Sequence, residues 1–305
     1  MHQAGQSEAV YFMGVDGGGT HCRVRLTSFD GTMLAESQGG SANTTLGPEQ
    51  VFSEILSCGQ QAVSRAGLHP DIWGQTYVGA GLAGLNISLQ KTRFANLPHP
   101  FAGLVVCSDA HTACLGAHNG GDGGIVICGT GSAGLALIGG SEHRVGGWGF
   151  VLSDSGGGAI LGRNLLRACL EVHDGLRPPS EMASAVLDRF NHDGDEMFEW
   201  AYRATPRDFG FFAPTAFDWA DRNDPLARRL VTETVTAVSH HISAVRAHGA
   251  DRICLLGGMA ARVQPLLPVD TNNLLVVPVH DALQGAILLA RRQHAQSLTK
   301  SGGSR

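Results

Sequence analysis

Short apolar runs separated by glycine-rich turns recur along the chain, and they predict strands before they predict helices. The run at residues 11–15 ends in Asp16-Gly17-Gly18-Gly19-Thr20. Beyond it Cys22, Val24 and Leu26 alternate with Arg23, Arg25 and Thr27, the period-two pattern of a half-buried strand. Asp30-Gly31 signals a hairpin, which makes residues 32–36 a third strand. The period then changes. Gly47-Pro48-Glu49 starts a helix with proline at its first position and an acid in its first turn. Val51, Phe52, Ile55, Leu56 and Val63 form its apolar face, and Gly67 closes it. Residues 77–82 and 104–107 are further strands, the second ending at Ser108-Asp109.

The order begins again near Gly124, with strands at 125–128 and 135–138, a short piece near Val145 and a helix over 158–172. Little identity links the halves beyond the glycine loops, so the pattern predicts a structural duplication rather than a sequence repeat. Residues 178–223 are irregular and aromatic, an insertion of helices and loops. A long helix starts at Asp224-Pro225, carries Leu226, Leu230, Val231, Val238, Ile242 and Val245 on its inner side, and ends at Gly249. Residues 253–256 form a strand leading into Gly257-Gly258, residues 274–279 another, and residues 281–292 a closing helix. The expected division is an N-terminal lobe over 1–118, onto which the closing helix packs back, and a C-terminal lobe over 119–280. Residues 297–305 are expected to be a disordered polar tail.

Composition narrows the function classes. The chain's 305 residues suit one large or two medium domains, and 43% apolar residues support a sizeable core. A net charge of −5 without a basic block argues against nucleic acid as partner. Glycine, 42 of 305 residues, is roughly twice as frequent as usual, and the reading from sequence is tight loops close to a ligand. Seven scattered cysteines with no Cys-x-x-Cys pair fit reduced thiols of a cytoplasmic protein rather than a zinc site. Residues 1–9 show neither a basic region nor an apolar core, so no secretory signal is expected, and no run of 18 apolar residues suggests a membrane span.

Candidate chemistry centres on the glycine loops. The first loop lacks Gly-Lys-Ser/Thr and runs into a strand, so neither the P-loop nor the dinucleotide fingerprint fits. A glycine hairpin can still surround a phosphate with backbone N–H groups, and Asp16 at its mouth can hold magnesium through water. Gly129-Thr130-Gly131-Ser132 is a second such loop after an apolar run. Together they predict two phosphate-holding hairpins facing each other across a cleft, as in ATP-handling enzymes of the actin, Hsp70 and hexokinase type. Asp109 ends a strand and starts a helix, where position alone leaves two uses open: a base for an attacking hydroxyl, or a helix N-cap. Gly146-Gly147-Trp148-Gly149 and Asp154 offer close backbone, a flat apolar face and a carboxylate suited to a sugar. The alternative is a glycine-rich loop around a buried tryptophan. Gly257-Gly258 leaves a flat slot for a purine. His240-His241 reads as structural, and Asp193-Gly194-Asp195 lacks the remaining ligands of a calcium loop.

Taken in order, these segments, with Ser41-Ala42-Asn43 and Ser108-Asp109-Ala110, resemble the N-acetylglucosamine kinases of the BadF/BadG/BcrA/BcrD-type ATPase group over residues 11–292. The resemblance implies an α/β fold of two ribonuclease-H-like, actin-like ATPase domains, with mixed sheets flanked by helices around a central cleft. It implies ATP and Mg2+, and Asp109 as the base for the sugar 6-hydroxyl. Asn43, Thr130, Gly147, Trp148 and Asp154 are then sugar-site residues. Gly17, Gly18, Gly19, Thr20, Gly129, Gly131 and Ser132 hold phosphate, Gly257 and Gly258 the adenosine, and Asp16, a Glu in vertebrate members, the metal. A cytoplasmic homodimer acting on an amino sugar is the expected whole. Glucosamine kinase is the nearest alternative. A 2-hydroxyacyl-CoA dehydratase activator, which needs cysteines bridging an iron–sulfur cluster between subunits, is the alternative from another class.

Overall fold

A computed structural model describes residues 9–19, 21–85, 92–94 and 97–302. The chain divides into two units, Met1–Asp122 with Pro278–Arg305, and Gly123–Val277.

In the first unit, β1 (Tyr11–Gly17), β2 (Cys22–Ser28) and β3 (Met33–Gly39) form an antiparallel meander. Its second turn is the one predicted: Asp30 accepts from the Ser28 hydroxyl and the Thr32 N–H, and Gly31 has φ +96°. β4 (Thr76–Leu82) and β5 (Gly103–Ser108) add in parallel, giving the order β3-β2-β1-β4-β5. Alternation assigns the two faces. Met13, Val15, Val78 and Ala80 pack with the buried residues of α1 (Pro48–Arg65), while Phe12 packs with Ile287 and Ala290 on the other face.

That other face explains much of the glycine. α2 (Asp109–Ala117) and the C-terminal helix (Ala282–Gly302) lie so close to the sheet that a Cβ on Gly79 would run into the Ala286 carbonyl oxygen. A Cβ on Gly285 would run into the Thr112 carbonyl oxygen, so the two helices also touch at glycine. The expectation of glycines as ligand-side loops is therefore incomplete: several are spacers for helix packing.

The second unit repeats the plan. β6 (Gly123–Cys128), β7 (Ser132–Ile138) and β8 (Ser141–Gly146) are antiparallel, and β9 (Ile253–Leu256) joins β6 in parallel, in the order β8-β7-β6-β9. α8 (Pro225–Ala247) covers the sheet and α3 (Gly158–His173) packs against α8, and they contribute Leu161, Leu165, Val238 and Ile242 to the core. The aromatic segment folds as α4 (Glu181–Leu187), α5 (Gly194–Arg203), α6 (Pro206–Gly210) and α7 (Ala213–Asp221). Asp193 caps α5 by accepting from the Asp195 and Glu196 N–H groups, so Asp193-Gly194-Asp195 is a helix start.

Two predicted elements need correction. Where the sequence predicts a strand over 274–279, there is one bridge, Ile253 to Leu275. Pro278 has no N–H to continue a ladder, and the Val279 and His280 N–H groups donate to the last turn of α2 instead. Where the sequence predicts a disordered tail from Ser297, the C-terminal helix, α9, continues to Gly302. It is anchored there by Gln293, which donates to the Leu104 carbonyl, and by Ser297, 3.1 Å from the Tyr77 hydroxyl. Residues 303–305 lie outside the described residues. Among the described residues no helix is long and apolar enough to cross a membrane.

Candidate functional site

In the first unit the site residues gather at the carboxyl ends of three parallel strands. Gly17, Leu82 and Ser108 occupy one row across β1, β4 and β5. Ligands of open α/β sheets bind at such an edge. The first glycine loop is closed by the Gly18 N–H donating to His21 O at 2.9 Å. Ala42 N–H donates to Gly18 O and Ala83 N–H to Gly17 O, tying the loop to the segments on either side. Asn43 follows, its side-chain oxygen accepting from Thr45 N–H at 2.9 Å and its amide nitrogen lying near Gly19. Gly17, Gly18, Gly19 and Asn43 thus come together, whereas Thr20 lies outside the described residues.

Asp16 stands opposite Arg23 across the hairpin, and Arg23 donates to one carboxylate oxygen at 2.5 and 3.2 Å. No group of three or more His, Cys, Asp or Glu side chains that could hold a metal occurs among the described residues. A single carboxylate beside a glycine loop is a donor that magnesium can use, since that ion takes one or two carboxylates and completes its shell with other oxygens and water.

Ser108, not Asp109, is the N-cap of α2: its hydroxyl accepts from His111 N–H at 3.2 Å. Asp109 occupies the first helical position, half-buried, with one oxygen accepting from Ala110 N–H at 2.8 Å. With strands about 4.8 Å apart, its place two strands from β1 is roughly 10 Å from the glycine loop.

In the second unit the loop Gly129–Ser132 joins β6 to β7, closed by Gly129 N–H donating to Gly131 O at 3.0 Å. The start of α3 rests on it. Gly158 N–H donates to Gly129 O and Ala159 N–H to Thr130 O, so loop carbonyls do the capping that Gly157 cannot. Below the loop Cys128 is a packed thiol that donates to Gly156 O, and burial pushes it up to about 12. Gly257 crosses the end of β6 with φ +100°, where a Cβ would run into the Cys128 carbonyl. Gly258 faces open space, and with Gly129 and Thr130 it lines a cavity of about 410 Å³. Met259, Phe217 and Arg262 are among the side chains of that wall. Arg262 is fixed by Asp218 and Asp221 at 3.0 and 2.8 Å, with its guanidinium 5.0 Å above the Phe217 ring.

Met259 follows directly on the Gly257-Gly258 pair in the sequence, which singled out neither Phe217 nor Arg262. A phenylalanine in the insertion and an arginine after Gly257-Gly258 carry no local signature, and only the fold joins them. Thr130, which the resemblance assigns to the sugar, lines the cavity on the Gly258 side.

β8 runs into Gly146 and Gly147, both left-handed at φ +65° and +70°. Trp148 is 71% exposed with the Arg144 guanidinium 5.7 Å from its ring centre, which removes the buried-tryptophan alternative. Asp154 closes the segment at φ +66°, unusual for a residue with a side chain. Burial raises its carboxyl above the ordinary carboxylate value. The Gly149 and Ser132 N–H groups that donate to it and the His241 imidazole act the other way.

Comparison with known proteins adds the following. The profile of the BadF/BadG/BcrA/BcrD ATPase family matches residues 13–290. A Vibrio cholerae protein named glucosamine kinase GspK is 39% identical over 96% of this chain and 99% of its own. A Dictyostelium discoideum protein named N-acetyl-D-glucosamine kinase is 25% identical over 77% of this chain and 78% of its own. A crystal structure from Chromobacterium violaceum, whose description proposes an N-acetylglucosamine kinase, superposes with a TM-score of 0.84 at 35% identity, covering 92% of this chain and 99% of that one.

Proposed function

The chain belongs to the BadF/BadG/BcrA/BcrD ATPase family, and from that membership we propose that it is an ATP-dependent amino-sugar kinase acting on the sugar 6-hydroxyl. The observation that carries the proposal is the cavity shared by Gly129, Thr130 and Gly258: glycine backbone for phosphate, beside apolar walls for a base. In this reading Asp109 takes the hydroxyl proton. Gly17, Gly18, Gly19 and Thr20 belong to the first phosphate loop and Gly131 and Ser132 to the second. Asn43, Gly147, Trp148 and Asp154 hold the sugar. Asp16 would hold the magnesium ion that accompanies ATP, which supplies charge neutralisation at the phosphates. Positioning and charge, rather than covalent chemistry, are what such a transfer asks of the protein.

Glucosamine is the first candidate acceptor, on the strength of the Vibrio relative's name and its match along almost the whole chain. N-acetylglucosamine is the second, favoured by the descriptions of the Dictyostelium and Chromobacterium proteins. The dehydratase-activator alternative is weakened because all seven cysteines are buried, leaving no surface thiol to bridge a cluster between subunits. The same reduced thiols suit a cytoplasmic enzyme.

The test is ADP release from Mg-ATP with glucosamine, N-acetylglucosamine, glucose or no sugar, with the product checked as a 6-phosphate. Strong stimulation by one amino sugar is the expected result. Equal slow release in all four reactions would overturn the kinase reading.

A further inference from the structure

His241 lies on the inner side of α8, apart from every segment that the glycine motifs mark, yet its ring abuts the Gly146–Asp154 segment. Its Nδ1 is 2.9 Å from Ala237 O. A carbonyl oxygen only accepts, so Nδ1 carries the proton and the ring orientation is fixed from within the helix. Nε2 is thereby turned toward Gly146, where even a Cβ would come within 2.7 Å of it. Ser153 Oγ borders the same spot, and Asp154 follows it in the chain.

The Gly129–Ser132 loop and the Gly146–Asp154 segment meet at Asp154. The Gly129–Ser132 loop has a strand ladder at Cys128–Ser132, its own Gly129–Gly131 bond and two bonds from α3. The Gly146–Asp154 segment is held by the pairing of Gly146 with Ala133, by Leu152 and Ser153 N–H groups donating to Gly149 O, by Gly157 N–H donating to Asp154 O, by Phe150 stacked on Phe209, and by the Asp154 carboxylate.

We propose that His241 is a positioning residue for the sugar-binding segment, bracing Gly146 and Asp154 from α8 so that Gly147, Trp148 and Asp154 are presented to the sugar in one arrangement. The proposal rests on the reading of this segment as the sugar site. His241 touches no substrate and acts through the loop.

Three variants separate its two ring nitrogens. His241→Ala removes both, His241→Asn keeps a polar group near Nδ1 only, and His241→Gln keeps one near Nε2 only. Steady-state kinetics with the amino sugar and Mg-ATP varied in turn, alongside melting temperatures, give the readout. His241→Ala and His241→Asn should each raise the sugar KM about tenfold through loss of the segment's positioning, with the ATP KM within about twofold. His241→Gln should recover most of that loss. An unchanged sugar KM in His241→Ala overturns the proposal, as does an ATP KM that rises as far as the sugar KM. Equal rescue by His241→Asn and His241→Gln would reduce the residue to a helix-packing role. Wild-type protein without sugar-stimulated turnover would remove the sugar-site reading itself, an outcome distinct from all of these.

Discussion

Asp109 shows how a neighbour can decide what a residue is available for. Both Ser and Asp are good helix caps, and the dipeptide Ser108-Asp109 leaves the choice open in sequence. In the fold the Ser108 hydroxyl takes the capping bond, which puts Asp109 one residue further, at the positive end of α2 and the carboxyl edge of the sheet. A positioned base contributes about 10²–10⁴ in rate. Asp109→Asn, which keeps the shape and removes the proton acceptor, should therefore lower kcat by about 10³ while the ATP KM stays within about twofold. Initial rates at saturating sugar and varied Mg-ATP decide it, and more than a tenth of wild-type turnover would end the assignment of Asp109 as base.

At the scale of elements, one buried carboxylate joins the insertion to the long helix. Asp224 caps α8 by accepting from Ala227 N–H at 2.9 Å, and it also accepts from the Ser180 hydroxyl at 2.8 Å and Met182 N–H at 3.2 Å, at the start of α4. Burial alone would raise its pKa, but these donors outweigh it and hold the group below the ordinary carboxylate value of 3.8. A depressed folded-state pKa means stability that is fully present above 3.8 and is lost as pH falls through the lower folded value. Asp224→Ala should cost about 2 kcal/mol at neutral pH, the sum of a lost cap and of donors left buried. The gap from wild type should begin to close only below about pH 4. Urea unfolding at several pH values measures this, and a gap that is absent at pH 7 or constant through acid would refute it. The Asp224-Pro225 start of α8 is readable because capping is local; its grip on Ser180, more than forty positions away, is not.

The same division between local and distant signals runs through the whole molecule. Strands, hairpin turns and helix starts are legible because alternation, Asp-Gly and Asp-Pro act over a few residues. The strand predicted over 274–279 fails because an apolar run cannot disclose that its backbone donors are used elsewhere. Glycines at loop mouths are legible, but Gly79 and Gly285 gain their meaning from helices distant in sequence. For the same reason the cavity wall of Phe217 and Arg262 escapes a motif search. That wall yields a prediction at this largest scale. If the base of the nucleotide belongs to the second unit, Mg-ADP alone should slow hydrogen exchange in peptides covering residues 129–132, 207–217 and 257–262. The amino sugar alone should slow exchange around 146–154 and leave 207–217 unchanged. The two ligands then mark separate parts of one unit, as expected if a phosphate loop stands between a purine cavity and a sugar segment. Exchange at 207–217 and 257–262 that ignores Mg-ADP would place the base elsewhere and dissolve the link between Gly257-Gly258 and the nucleotide.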